Sequence, residues 1–408
     1  MNTSGAETVP DDPPAGTGQS DATGRSRVAV AACDSYSPDR VKSALEEILS
    51  SLGGMSAFVK PGQTVLVKPN LFSAHPPEHG VTTHPEVVRQ VALLCIEAGA
   101  RRVWVGDSPV GLQPEARLWS LTGMDKALAG TRAELKSWKG PQIPVNCGDD
   151  ILAVPEWYRD IDVIVSLPKL KTHGLTTITC GLKNVYGMVN GPAKSQFHVK
   201  YPSPATMSSF LVRVFAAFRP ALTIADAIVA MEGNGPAHGQ PLSAGLLLAS
   251  RAAVALDAVA CAALKISPAT VPMIRMAAAS GLGIMEAPGI QRTGSGLTRL
   301  ETLRMKPSVA RYLGRIPEVF FRLTPCLVRL HPKIRNRLCD RCGTCVRTCP
   351  KNAINKNRPA DFPVIDRREC IDCFCCIESC PKSAIAARLY IANLFFVMQQ
   401  RRDGAAEK

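Results

Sequence analysis

Eight cysteines with a repeated spacing are the residues of this chain most clearly equipped for chemistry. Cys339, Cys342, Cys345 and Cys349 follow one another with gaps of two, two and three residues, and Pro350 comes next. Cys370, Cys373, Cys376 and Cys380 repeat those gaps, again with a proline, Pro381, next. Two-residue gaps let one loop wrap three thiolates around three corners of an iron–sulfur cube, while the fourth cysteine, one residue further on, points away to a second cube. The spacing therefore predicts two 4Fe-4S clusters in crossed tetrads. Cys339, Cys342, Cys345 and Cys380 would hold one, and Cys370, Cys373, Cys376 and Cys349 the other. Zinc, the competing metal, prefers paired C-x2-C units with a spacer. The internal repeat reaches past the ligands, because Cys349–Ile354 (CPKNAI) matches Cys380–Ile385 (CPKSAI), which makes Ile354 and Ile385 expected core residues of two related halves.

The segment resembles bacterial two-cluster ferredoxins, whose chemistry is one-electron transfer. It departs from them in charge: Arg341, Arg347, Lys351, Lys356, Arg358, Arg367, Arg368 and Lys382 outnumber the acids. Such a surface suits a module docked on its own chain or one that meets an acidic electron donor or redox partner protein. The remaining cysteines, Cys33, Cys95, Cys147, Cys180, Cys261, Cys326 and Cys375, are expected to be small apolar thiols, with Cys375 a bystander between two ligands.

A second set of candidates comes from the rule that open α/β sheets bind ligands beyond the carboxyl ends of their strands. Apolar runs here end in polar residues. Thr64–Val67 leads into Lys68 and Asn70, Arg102–Val105 into Asp107, and 161–167 into Lys169, Lys171 and His173. Ala221–Ala225 leads into Asp226, and Gly245–Ala249 into Arg251. If those strands are parallel, the groups converge on one cationic rim. Lys68, Asn70, Lys183, Asn184, Asp226 and Arg251 would then bind an anionic small-molecule substrate, a carboxylate or a phosphate. Lys169, Lys171, His173 and Asp107 are the catalytic candidates, with His198 an alternative for proton transfer. The glycine-bearing turns at 181–187 and 232–236 could bring main-chain N–H groups to an anion. A mononuclear metal among Asp226, Glu232, His238 and His173 has no supporting motif spacing. No G-x-G-x-x-G or P-loop element occurs, so nucleotide binding has no motif support.

The elements that must position these groups follow from composition and periodicity. The chain has 408 residues, 46% of them hydrophobic, enough for two or three domains with real cores. Residues 1–26 are polar and read as a disordered tail. From there to about residue 300, short β-branched runs alternate with helix-period segments, the pattern of a Rossmann-like, mostly parallel sheet with flanking helices. Helices are expected from about Pro38, over Pro85–Ala98, over Ala252–Leu264 and over Ala269–Ala279. Residues 301–337 read as a basic connector, 338–386 as a small α+β ferredoxin-like domain, and 387–408 as a C-terminal helix and tail, the helix from about Ala386 to Met398.

The net charge of +14 points to an anionic partner without choosing one. No helix-turn-helix, zinc-finger or RNA-binding signature is present, so nucleic acid is not expected. No long uncharged apolar run is present either, so no transmembrane segment is expected, although the basic connector leaves peripheral membrane contact open. The first twenty residues lack the parts of a secretory signal, so the expected compartment is the cytoplasm.

Residues from about 63 to 300 resemble the widespread prokaryotic family catalogued as domain of unknown function 362, through VLVKPNL, HPEVVRQVALLCIEAGA, VWVGDSP, DVIVSLPKLKTHGLTTITCGLKNVYGMV, IADAIVAMEGNGPAHG and ALDAVA. Members often carry a ferredoxin-like iron–sulfur domain, so the resemblance covers about four-fifths of this chain. The family carries no assigned reaction, and the rim candidates therefore rest on loop position and chemistry. Together these features predict a ferredoxin-linked oxidoreductase that passes electrons from the clusters to an anionic organic substrate. The alternative is an electron-transfer subunit whose α/β domain docks a partner enzyme.

Overall fold

The computed structural model describes residues 24–110, 114–308 and 328–391. The chain divides after Ser308 into two compact units. The first opens with β1 (Ser26–Ala32), α1 (Pro38–Ser50), β2 (Thr64–Pro69), α2 (Pro85–Glu97) and β3 (Arg102–Val105). It continues with α3 (Glu115–Thr122), α4 (Met124–Leu128), β4 (Ala133–Leu135), β5 (Gln142–Cys147), β6 (Asp150–Pro155) and β7 (Val163–Leu167). Next come β8 (Lys169–His173), β9 (Thr177–Thr179), α5 (Gly181–Asn184), α6 (Gly191–Lys200), α7 (Pro204–Phe218), β10 (Leu222–Glu232) and β11 (Gln240–Ser250). It closes with α8 (Ala253–Ala260), α9 (Pro272–Ala279), β12 (Ile290–Thr293) and α10 (Leu297–Thr302).

The main sheet runs β12-β1-β11-β10-β7-β2-β3-β4, with β8 and β9 extending it from β10. Its strands are covered on both sides, which is why they read as unbroken apolar runs. Along β1, Val28 and Val30 enter one core with α7, α8 and α9, while Ala29 and Ala31 enter the other with α1 and α2. The same alternation sends Leu66 one way and Val65 and Val67 the other. Helix starts follow local chemistry. Pro38 and Pro85 occupy first-turn positions, where no N–H is needed, and Ser203 with Thr206 forms a capping box at α7.

Two departures from the sequence expectation change where side chains lie. Strand β11 is antiparallel to both β1 and β10, so its carboxyl end lies at the opposite rim from those of β2, β3 and β7. The stretch Lys169–His173, read as a loop because it is polar, is a strand: Pro168 interrupts β7, and β8 resumes pairing beside β10.

The second unit contains β13 (Val328–Ile334), α11 (Thr344–Thr348), β14 (Ile354–Asn355), β15 (Val364–Ile365), α12 (Cys375–Glu378) and β16 (Ile385–Ile391). Strand β13, read as part of the connector, pairs antiparallel with β16 along its whole length. Residues 386–391, expected to start a helix, are in that strand, where β13 satisfies their main-chain groups; the rest of the expected helix lies outside the described residues, as do residues 1–23 of the expected tail. The core of this unit joins Ile354 and Ile385 with Cys345, Cys376, Cys380 and Ala384.

Candidate functional sites

In the second unit the cysteines are placed by two copies of one backbone turn. Arg341 and Asp372, each just before the second cysteine of its half, have φ of 63° and 55°, and Gly343 and Phe374, just after it, have 71° and 59°. A third matched pair, Asn352 at 52° and Ser383 at 48°, follows each fourth cysteine. Left-handed residues at these points curl the loop so that successive thiols face one side. The matched main-chain N–H groups of Ala353 and Ala384 donate to Cys349 Sγ and Cys380 Sγ, each at 3.2 Å.

The thiols surround two separate cavities. One is walled by Cys339, Cys342, Cys345 and Cys380 with Ile334 and Ile385. The other is walled by Cys349, Cys370, Cys373 and Cys376 with Ile354 and Ile371. Each cavity thus takes three cysteines from one half and the fourth from the other. Among the described residues no three His, Cys, Asp or Glu side chains close on a point as a single metal ion requires. Four thiols around each cavity, three at short spacing in one half and the fourth from the other, suit a polynuclear cluster. Cys375 is buried, as are Cys33, Cys95, Cys147, Cys180 and Cys261; Cys326 lies outside the described residues.

In the first unit, the carboxyl ends of β2, β3 and β7, with strand β8 and the interior of β10, where Asp226 lies within the strand and not after it, gather most of the rim candidates, but as a buried network. Lys68 Nζ meets Asp107 Oδ1 at 2.7 Å and Pro69 O at 2.9 Å. Asp107 Oδ2 accepts the Leu71 N–H, and Asn184 Nδ2 donates to Lys68 O and Ser166 Oγ. Lys169 Nζ meets Asp226 Oδ2 and Tyr36 Oη, both at 2.8 Å, and Tyr36 donates to Asp226 Oδ1 at 2.8 Å. Asp226 also accepts the His84 and Ile228 N–H groups. The His84 ring stacks on Tyr36 at 3.6 Å. Lys171, on the same face of β8, reaches Asn70 Oδ1, Val81 O and the Phe72 ring. Lys68, Lys169 and Lys171 are all 0% exposed. Burial lowers the pKa of Lys68 and Lys169 while the paired carboxylates oppose it.

His173 ends β8 with its Nδ1 accepting the Leu175 and Thr176 N–H groups, which leaves the ring proton on Nε2. Burial, then the charges of Lys183, His198 and Lys171, hold it well below its ordinary pKa. Burial and Lys183 push His198 down to about 4. The histidines in this region are therefore neutral, buried beside lysines.

Arg251 is not brought to this rim. Because β11 is antiparallel, Arg251 lies at the amino ends of the parallel strands, over the Phe58 ring at 4.0 Å. Both glycine turns are filled from within. The Gly181 and Leu182 N–H groups go to Asp257, at 2.6 and 3.0 Å, and the Gly233 N–H goes to Lys306 O. Asp226 and Glu232, offered as metal ligands, are bound to Lys169 and Lys306 instead. Tyr36 and His84 were missed. The strand-end rule, applied to β1 as to the others, leads directly to Tyr36. Nothing local marks Gly187, where a β-carbon would overlap Asp107 Oδ1 and Lys68 Nζ.

Residues 65–262 match the model of a family described as domain of unknown function DUF362. Residues 331–381 match a 4Fe-4S dicluster domain. A thylakoid-associated protein of Synechocystis sp. is 37% identical over 259 residues, which are 63% of this chain and 79% of that one. A crystal structure from Thermotoga maritima aligns at 11% identity with a TM-score of 0.34, over 61% of this chain and 60% of that one. No helix among the described residues is long and apolar enough to cross a membrane.

Proposed function

Since this chain belongs to the DUF362 family and carries a 4Fe-4S dicluster domain, we propose that it is an electron-transfer protein with two 4Fe-4S clusters, serving the oxidoreduction of an anionic organic ligand at the rim of the α/β unit. The observation that carries the proposal is the pair of separate cavities, each walled by four cysteines in the crossed pattern. A 4Fe-4S cluster supplies one-electron transfer. Cys339, Cys342, Cys345 and Cys380 hold one, and Cys349, Cys370, Cys373 and Cys376 the other. The Ala353 and Ala384 N–H groups, aimed at one sulfur of each tetrad, make that thiolate a weaker electron donor and raise the cluster's potential.

The anionic ligand is supported by Lys171 and Lys183, whose charges lie close enough to His173 and His198 to help hold both imidazoles neutral. Chemically reduced protein, held anaerobically, should be reoxidised by at least one member of a panel of reducible organic molecules that bear a carboxylate or a phosphate. Lys183→Gln should slow that step about tenfold or more through the loss of a charge-assisted contact. A panel with no reactive member overturns the assignment of a substrate.

A second reading is favoured by the burial of the two ion pairs. Lys68–Asp107 and Lys169–Asp226 are sealed and hydrogen-bonded on all sides, an arrangement suited to fixing loops. In that reading the α/β unit is a platform that docks a partner enzyme, and Lys183→Gln leaves electron transfer to a co-purifying partner unchanged.

A further inference from the structure

Of the eight cluster cysteines, Cys342 is the exposed one. The groups around it are cationic and held in place. Arg347 donates to Cys342 O at 3.2 Å and to Thr344 Oγ1, whose hydroxyl lies 3.3 Å from Cys342 Sγ. Arg341, next in the chain, lays its guanidinium over the Phe362 ring at 4.3 Å. Lys356 Nζ donates to Arg341 O and Pro359 O. Asp340 is the acid on this loop, and it is engaged by the Cys342 N–H at 3.2 Å. Leu338, beside Cys339 in the chain, is 48% exposed. An exposed ligand, fixed cations and an apolar side chain at one place have the composition of a transient docking patch.

The charge distribution decides what docks there. Residues 328–391 hold thirteen Lys or Arg against six Asp or Glu. Residues 24–308 hold twenty-nine against twenty-one. Both sets of described residues carry excess positive charge, so neither offers the other a net negative partner, and an acidic surface on another molecule supplies the complement.

We infer that the surface around Cys342, Arg341 and Arg347 is the docking site of an acidic one-electron redox protein, which exchanges electrons through the Cys339/Cys342/Cys345/Cys380 tetrad. This inference rests on the two-cluster reading above.

The test uses the full-length, anaerobically prepared protein, with iron and sulfide measured on every sample, and an oxidised flavodoxin as the acidic probe. Binding is read by titration calorimetry from about 0.01 to about 1 M ionic strength, over which the screening length falls from about 30 to about 3 Å. The wild type should bind, and should weaken by about tenfold or more as salt rises. Arg341→Glu should weaken binding by about tenfold at low salt with its cluster content and electron paramagnetic resonance spectrum intact. Arg341→Gln should fall between the two. Arg388→Glu, on β16 opposite His331 and so beside the other tetrad, should bind as the wild type does. Absent or salt-independent binding, or equal loss in Arg388→Glu, overturns the inference. So does a result in which Arg341→Glu loses only binding to vesicles of equal parts phosphatidylglycerol and phosphatidylcholine, which would make the patch a membrane surface. Samples without iron would instead bring down the two-cluster reading itself.

Discussion

At Gly187 a missing side chain allows two others to meet. Its backbone packs against the Lys68–Asp107 pair so closely that a methyl group would displace both partners. Gly187→Ala should therefore destabilise the first unit by about 3 kcal/mol, combining overpacking with disturbance of a buried ion pair. Thermal melting compared with Gly54→Ala, where a β-carbon meets nothing within 4 Å, would check it, although Gly54 has a left-handed φ of 77° and will show a strain cost of its own. At this scale the cysteines were fully legible, because ligand spacing is set by chain geometry over a few residues. Tyr36 and Gly187 were not, since their roles come from residues far away in sequence: Asp226 lies 190 positions from Tyr36.

Among elements, β8 shows how a short polar segment becomes interior structure. Its three alternate residues Lys169, Lys171 and His173 would read as a solvated loop, yet all are buried because Asp226, Asn70, the Val81 carbonyl and the Leu175 and Thr176 N–H groups await them. Removing one partner should be costly. Asp226→Ala would leave Lys169 without its carboxylate and free three further donors, for an expected loss of about 3–5 kcal/mol. The double variant Lys169→Met/Asp226→Leu should recover part of that loss, since well-packed apolar residues often replace a buried pair without penalty. Chemical denaturation of the three proteins measures it, and a double variant no better than Asp226→Ala would show that the hydrogen bonds, not the charges, carry the stability. The strands themselves were legible as apolar runs, but their direction was not. Nothing in Gly245–Ala249 says that β11 runs against its neighbours, and that one fact moved Arg251 to the far rim. Likewise the apolar residues at 385–391 fit a strand or a helix, and only pairing with β13 decides.

For the whole molecule, the division into two units with separate cores lets each be followed by itself. All four tryptophans, Trp104, Trp119, Trp138 and Trp157, belong to the first unit, so their fluorescence reports its unfolding. Burial holds His75, His84 and His198 down to about 4 in the fold, against an ordinary value of 6.5. Between those values the unfolded chain binds more protons, so this stability is present above about pH 6.5 and is lost as pH falls through about 4. Asp257 opposes the trend: burial raises it from 3.8 to about 6, so its folded form takes up a proton first and loses stability as pH rises across that range. Three histidines against one aspartate leave a net rise with pH of about 1–3 kcal/mol per unit near pH 5. Tryptophan-monitored urea unfolding at a series of pH values would show it, and a flat profile would contradict the buried histidines.

The central claim is the crossing of the two cysteine tetrads, and iron and acid-labile sulfide analysis of paired variants tests it most directly. Wild-type protein prepared without oxygen should hold about eight irons. Cys339→Ala/Cys380→Ala strikes one cavity twice and should keep about four, whereas Cys349→Ala/Cys380→Ala strikes both and should keep almost none. Zinc in place of iron, or almost no iron in both double variants, as uncrossed tetrads would give, would contradict it.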